Sequence, residues 1–237
     1  MNGDHHLTLP WGEETLELAL PEEWAVAGTL KPAALSGVSN VADEVRRSLQ
    51  EPIDAARLRD LARAAEKVVI VIDDLSRPTP VHRILPGVLE ELDQGGVDRG
   101  DVTVVVALGL HRPMTGDEVA LRTGATDLTG LAWENHDCDA VDSLVTLGTT
   151  QRESPVQIQR TVAQADLIVS IGCIEPHIIA SFGGGYKNLV PGVAGRDTIA
   201  HNHSLNCTPE TFNMVGQPIE RNPMRLDLEE AAGMIDG

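Results

Sequence analysis

Three stretches of the chain are unbroken apolar runs bounded by polar loops: Lys67-Val-Val-Ile-Val-Ile72, Asp101-Val-Thr-Val-Val-Val-Ala107 and Asp166-Leu-Ile-Val-Ser-Ile171. Runs of this length and β-branched content predict strands covered on both faces, as in a parallel sheet. Between them apolar positions recur at helical spacing. Val41 to Leu49, Ile53 to Ala65, Val81 to Leu92 and Val156 to Ala165 read as helices, as does a shorter stretch from Gly116 to Arg122. Thr115 is the N-cap of that short helix, with Glu118 at capping-box spacing. Gly130 to Glu134 is a weaker strand leading into His136, Asp137 and Cys138, and Met224 to Ile235 a last helix after a loop-like stretch from Asn206. Alternation from Leu7 to Leu20 about Trp11-Gly12 reads as an N-terminal β-hairpin, joined to the rest by a Pro-, Gly- and Ala-rich connector. Strands alternating with helices predict an α/β fold, a parallel sheet with helices on both faces.

Each strong strand empties into a loop rich in chemistry. The first ends in Asp73-Asp74-Leu-Ser-Arg77-Pro-Thr-Pro80, where two prolines stop any helix. One reading makes Asp74 and Arg77 a local ion pair. The second strand ends in Leu108-Gly-Leu-His111, so His111 is either a buried general base or a hydrogen-bonded core histidine. The third opens residues 172–203, with His177 after Pro176, three glycines (Gly183, Gly184, Gly185), Lys187, and His203 in a His-Asn-His triplet. Glycines without Cβ atoms let backbone amides approach an anion or a flat cofactor. Lys187 is placed to meet an anion or to form a covalent adduct. His177 suits a base or a metal ligand, and one imidazole of the triplet suits a metal. Cys173 and Cys207 could complete a soft N/S site, or sit in the core. Right-handed crossovers put all three exit loops on one side of the sheet, where open α/β sheets bind ligands. Neither common phosphate motif fits: Tyr186 separates Gly185 from Lys187, and Asn188 stands where a third fingerprint glycine belongs.

Composition narrows the partners. A net charge of −18 argues against nucleic acid, whose phosphates need clustered Lys and Arg. Three cysteines, with no C-x-x-C, do not form a disulfide framework, so a reducing cytoplasm is expected. No signal peptide and no run of about 18 apolar residues is visible, so no membrane span is expected. With 3% aromatic residues, the core must rest on Val, Leu, Ile and Ala. The 237 residues are read as a single α/β domain, residues 1–40 being hairpin and connector. The closing Ile-Asp-Gly lacks a terminating logic, so a further C-terminal part is expected.

At these loops the sequence resembles the lactate racemase family, the nickel-pincer-nucleotide enzymes. The matching stretches are Asp74-Leu-Ser-Arg77-Pro, Gly109-Leu-His111-Arg-Pro-Met-Thr115-Gly-Asp-Glu118, and Glu175-Pro-His177 through Phe182-Gly-Gly-Gly-Tyr-Lys187 and Pro191-Gly-Val-Ala-Gly195 to His203. The resemblance implies a Rossmann-like N-terminal catalytic domain of an isomerase, a racemase or epimerase of a 2-hydroxy acid such as lactate. It further implies Lys187 as the covalent carrier of the nickel-pincer nucleotide and His203 as the protein ligand to nickel. His111 and His177 become the acid/base pair on opposite faces of the substrate. Arg77 becomes a substrate-binding residue, and Asp74 with Gly183, Gly184 and Gly185 holds the nucleotide. The α-hydride would leave for the cofactor and return to the other face of a planar ketoacid. Cofactor maturation proteins are the implied partners. Two other readings remain open from the residues alone: a zinc-dependent hydrolase using His177, His203 and one cysteine, and a phosphate- or nucleotide-binding module using the glycine loop.

Overall fold

The computed structural model of the protein describes residues 6–12, 14–24, 26–28, 30, 33, 35–124 and 130–236. Two compact units succeed one another, residues 1–39 and 40–237. In the first, β1 (His6–Trp11) and β2 (Glu14–Ala19) pair antiparallel. Leu7 faces Leu18 and Leu9 faces Leu16, so the alternating leucines share one face of the hairpin that the sequence predicts.

The second unit opens with α1 (Val41–Gln50), whose first amides bond to the side chain of Asn40. The helix expected from Ile53 to Ala65 is shorter than its apolar spacing suggests. Only α2 (Leu58–Ala62) forms, because Asp54 adopts φ +51, a left-handed conformation that a right-handed helix cannot include. Then follow β3 (Val68–Asp73), α3 (Val81–Gly95), β4 (Val102–Ala107), α4 (Gly116–Thr123) and β5 (Ala132–Asn135). The capping box of Thr115 and Glu118 is present at the start of α4.

The stretch expected as a helix from Val156 to Ala165 divides between a strand, up to Gln159, and a short helix. β6 (Leu144–Thr149) and β7 (Pro155–Gln159) form an antiparallel ribbon, and only α5 (Arg160–Ala163) is helical. Val156 and Ile158 are both fully buried, a period of two that β7 obeys and a helix would not. The chain continues through β8 (Leu167–Ile171), the two-residue strands β9 (Pro176–His177) and β10 (Ser181–Phe182), α6 (Arg196–Ser204) and α7 (Pro223–Ala232).

The main sheet is parallel, in the order β5-β4-β3-β8. Its central strands point alternate residues into two cores. Val68, Ile70, Ile72, Val102, Val104 and Val106 pack with Val81, Leu85, Leu89 and Leu92 of α3. Val69, Val71 and Val105 pack with Val156, Ile158, Val162, Ile199 and Leu228. Both faces are thus covered, which is why these strands read as continuous apolar runs. Each such side chain contributes about 1.5–3 kcal/mol on burial. No helix among the described residues is long and apolar enough to cross a membrane.

From β3 the chain moves outward to β4 and β5, then returns past β3 to β8. The strand order therefore reverses between β3 and β8, and the loops leaving those two strands diverge and open a crevice at their carboxyl ends.

Candidate functional site

The crevice is a pocket of about 180 Å³, and its lining includes Asp74, Arg77, His111, His177, Lys187 and His203. Cys173, also singled out from the exit loops, is not among its lining residues. Gly183, Gly184 and Gly185 are not among its lining residues. A second hollow of about 340 Å³ shares Asp74 and His111 with it and adds Leu75, Ser76, Arg112 and Met114.

The loop after β3 is organised by a residue with no local sequence signal. Arg122 of α4, only 7% exposed, pairs with the Asp73 carboxylate and donates to the Asp73 and Arg77 carbonyls, each at 3.0 Å. With its backbone so fixed, Asp74 turns inward. One carboxylate oxygen accepts from the amide and hydroxyl of Ser76 at 2.9 and 2.5 Å, and the other lies 2.6 Å from Nδ1 of His111. The local Asp74–Arg77 ion pair is therefore not formed. Arg77 reaches across the crevice instead and pairs at 2.7 Å with Glu175, which follows β8. This ion pair ties together the two loops that flank the switch point.

His111 is not buried: half of its side chain is exposed, which corrects both sequence readings of it. An ionised carboxylate can only accept, so the Asp74 contact places the His111 proton on Nδ1 and leaves a lone pair on Nε2. Burial acts to raise the Asp74 pKa, but hydrogen bonds from Ser76 and His111 outweigh it and hold the carboxyl below its usual range. His177 has the complementary arrangement. Its Nδ1 accepts from the Ala180 amide at 3.1 Å, so the neutral ring carries its proton on Nε2. Burial, then the charges of Lys187, Arg77 and His203, lower its pKa to about 4.

The glycines before the lysine turn the chain tightly. Gly184 has φ +71, and a Cβ there would stand 2.6 Å from the Cys173 carbonyl oxygen. The Gly183 amide is already bonded to the Glu175 carbonyl at 2.8 Å. This tight turn delivers Lys187 into the pocket, where among the described residues no carboxylate lies within ion-pairing distance of it. Burial and then Arg77 lower its pKa to about 8; Glu175 opposes them, Arg225 adds a smaller lowering effect, and Asp74 opposes least.

That environment has a measurable cost. Below about pH 8 Lys187 is protonated folded or unfolded, and the fold bears the full penalty of a buried ammonium. Between about 8 and the ordinary 10.5 only the unfolded chain keeps the proton, so stability rises with pH. Lys187→Met is accordingly expected to stabilise the protein at pH 7 by about 1–3 kcal/mol, a gain that vanishes above pH 10. Urea unfolding at the two pH values measures it, and a variant no more stable than the parent at pH 7 would contradict this account.

His203 donates from Nδ1 to the Ile199 carbonyl at 2.9 Å, which frees Nε2 as a lone-pair donor, the usual arrangement of a ligating histidine. Of the triplet only His203 lines the pocket, since His201 bonds to the Arg152 carbonyl at 2.9 Å. Neither Cys173 nor Cys207 joins these histidines. Among the described residues the one cluster of potential metal ligands is Asp137, Cys138 and Asp139, and Asp139 is held by Arg196. His136 is buried, bonded to Gln159 and the Ala194 carbonyl, and is a structural histidine.

Known proteins place this geometry. The family described as the lactate racemase N-terminal domain matches residues 11–213. A lactate racemase of Thermoanaerobacterium thermosaccharolyticum is 31% identical over 229 residues, 96% of this chain and 53% of that protein. One of Lactiplantibacillus plantarum is 32% identical over 200 residues, 84% of this chain and 47% of that protein. The chain thus spans about half the length of the curated relatives it matches. The structure of the T. thermosaccharolyticum lactate racemase apoprotein matches with a TM-score of 0.82 at 30% identity, over 98% of this chain and 54% of that one. A Thermotoga maritima protein, at a TM-score of 0.64 and 20% identity over 82% of this chain and 47% of that one, shares the fold. Sequence and fold agree: the chain belongs to the lactate racemase N-terminal domain family.

Proposed function

We propose that this chain is the catalytic N-terminal part of a racemase or epimerase of a 2-hydroxy acid, lactate or a close relative, working with a nickel-pincer nucleotide held by Lys187 and His203. One observation carries the reading. A lysine with a depressed pKa and a histidine with a free Nε2 share a pocket with two further histidines whose ring protons are set oppositely. The residues suit the cofactor. An amine without a carboxylate partner is a competent point of covalent attachment, and a backbone-bonded imidazole is a competent metal ligand. The second hollow beside Asp74 offers room for the nucleotide portion.

When bound, the nickel-pincer nucleotide supplies the acceptor and donor of the α-hydride. The chain's own residues handle the proton and the substrate's charge. Arg77 meets the carboxylate of the acid, sharing its guanidinium with Glu175. Nε2 of His111 takes the hydroxyl proton, and Asp74 stabilises the imidazolium that results. His177 donates from Nε2 to a substrate oxygen and polarises it. To accept a proton there it must move its own to Nδ1 and give up the Ala180 amide. The proton held on Nε2 of His111 returns to the substrate oxygen as the alcohol is re-formed, and exchange of roles between the two histidines lets either enantiomer start the reaction.

The test is intact-mass spectrometry with metal analysis on the complete polypeptide, co-expressed with the cofactor maturation proteins. A nucleotide-sized adduct mapping to Lys187 with about one equivalent of nickel is expected. An unmodified mass, with zinc or without metal, would overturn the racemase reading.

A further inference from the structure

A turn made of three glycines has no side chains by which to be held, and glycine loses more backbone freedom on ordering than any other residue. Beyond the backbone bonds of Gly183 to Glu175 and of Lys187 to Gly184, the rigidity of the Lys187 turn comes from its flanks. On the C-terminal side Asn188 supplies it, donating to the Ser170 hydroxyl at 3.1 Å and the Ile171 carbonyl at 3.2 Å. On the N-terminal side the last side chain before the glycines is Phe182. One guanidinium holds it twice: Arg225 lies 4.0 Å from the centroid of the Phe182 ring and donates to the Phe182 carbonyl at 3.3 Å.

Arg225 is itself fixed. Its side chain is 4% exposed and donates from Nε to Glu229 at 2.7 Å. At the start of α7, Asn222 accepts from the Arg225 amide at 3.0 Å and donates to the Ile179 carbonyl and the Ser181 hydroxyl, both at 2.9 Å. Ser181 needs such support, since it is a non-glycine residue at φ +66. One turn further on, the fully buried Asp227 accepts from Thr150 at 2.5 Å, Ser154 at 2.7 Å and Asn202 at 2.8 Å. Asn202 is the neighbour of His203 on α6. Helix α7 thus serves as a common mount for the lysine turn and the histidine helix. It lies wholly beyond residue 213, where the family match ends.

We propose that Arg225 is a positioning residue for Lys187: by clamping the ring and carbonyl of Phe182 it fixes the glycine turn that carries the lysine into the pocket. The inference rests on the racemase reading only in taking Lys187 as the centre of chemistry. The positive charge of Arg225 adds to the clamp by disfavouring the ammonium form of Lys187.

The test uses the 237-residue chain and the variants Arg225→Met, Arg225→Lys and Phe182→Leu. Competitive acetylation across pH, mapped to the Lys187 peptide, reads the amine's titration. Hydrogen exchange of residues 181–188 reads the turn, and thermal unfolding reads the whole fold. Arg225→Met is expected to raise the Lys187 titration midpoint and to speed exchange of the glycine amides about tenfold or more. Arg225→Lys keeps the charge and loses the fork, so it speeds exchange and leaves the midpoint in place. Phe182→Leu does the same from the other partner. A folded Arg225→Met with unchanged midpoint and exchange would overturn the proposal. If that variant does not fold, unchanged exchange in both of the others overturns it. None of these readouts needs cofactor or turnover, so an unmodified Lys187 in matured protein would sink the racemase reading and leave this result standing.

Discussion

Arg122→Met is expected to lower the unfolding free energy by about 3–5 kcal/mol, the usual cost of breaking a buried ion pair from one side. Arg122 and Asp73 are 7% and 8% exposed at their side chains. Methionine fills much of the vacated volume, so the loss measures the abandoned carboxylate and the two carbonyls that Arg122 satisfied, not a cavity. The double variant Arg122→Met with Asp73→Leu should recover most of the loss, since it removes the stranded charge. Urea unfolding of the three proteins decides. A single-variant loss below about 1 kcal/mol would put this pair with ordinary surface bridges. Because Arg122 also holds the Arg77 carbonyl, the variant should, on the racemase reading proposed above, further raise KM for the acid substrate.

Asp74→Asn should leave the fold intact and lower turnover of the matured enzyme by about 10²–10⁴-fold. The carboxylate fixes the His111 proton on Nδ1 and stabilises the ring when it becomes charged. An amide offers a donor as readily as an acceptor, which permits the wrong tautomer, and it carries no compensating charge. Residues that act as a unit are not additive, so His111→Asn should cost about as much alone as together with Asp74→Asn. Additive losses in that pair would mean that Asp74 serves the reaction by some other route than His111.

What was legible in the sequence was what local pattern fixes. Val68 to Ile72 and Val102 to Val106 lie in strands covered on both faces, and runs of Val and Ile have no other comfortable place. Their exit loops followed from topology. The ribbon of β6 and β7 was hidden because its register shifts between Thr146 and Gly148, which breaks the alternation that marks a strand. Val156 and Ile158 were absorbed into a helical reading by the helix-compatible residues after them. Partner choice was the least legible. Arg77 finds Glu175 98 residues away, and Arg122 finds Asp73 at a separation of 49. Charge pairs of that span leave no trace in spacing, and an arginine near the end of a helix ordinarily reads as a solvated dipole partner. Met224 to Ile235 reads as a helix, but nothing in its run of charged residues shows that Arg225 and Asp227 point inward.

The reversal of strand order between β3 and β8 also sets a timetable for making the protein. Lys67 at the entry of β3 bonds to Asp166 at the entry of β8 across 99 residues of sequence, a closure that long-range parallel pairing makes slow. As the chain leaves the ribosome, the strand bearing Asp74 and the one before His111 can find each other early. The lysine turn, whose Asn188 donates to Ser170 and Ile171 of β8, is anchored only once β8 has joined the sheet. The pocket is therefore completed only after the most distant strand pairing of the sheet has formed.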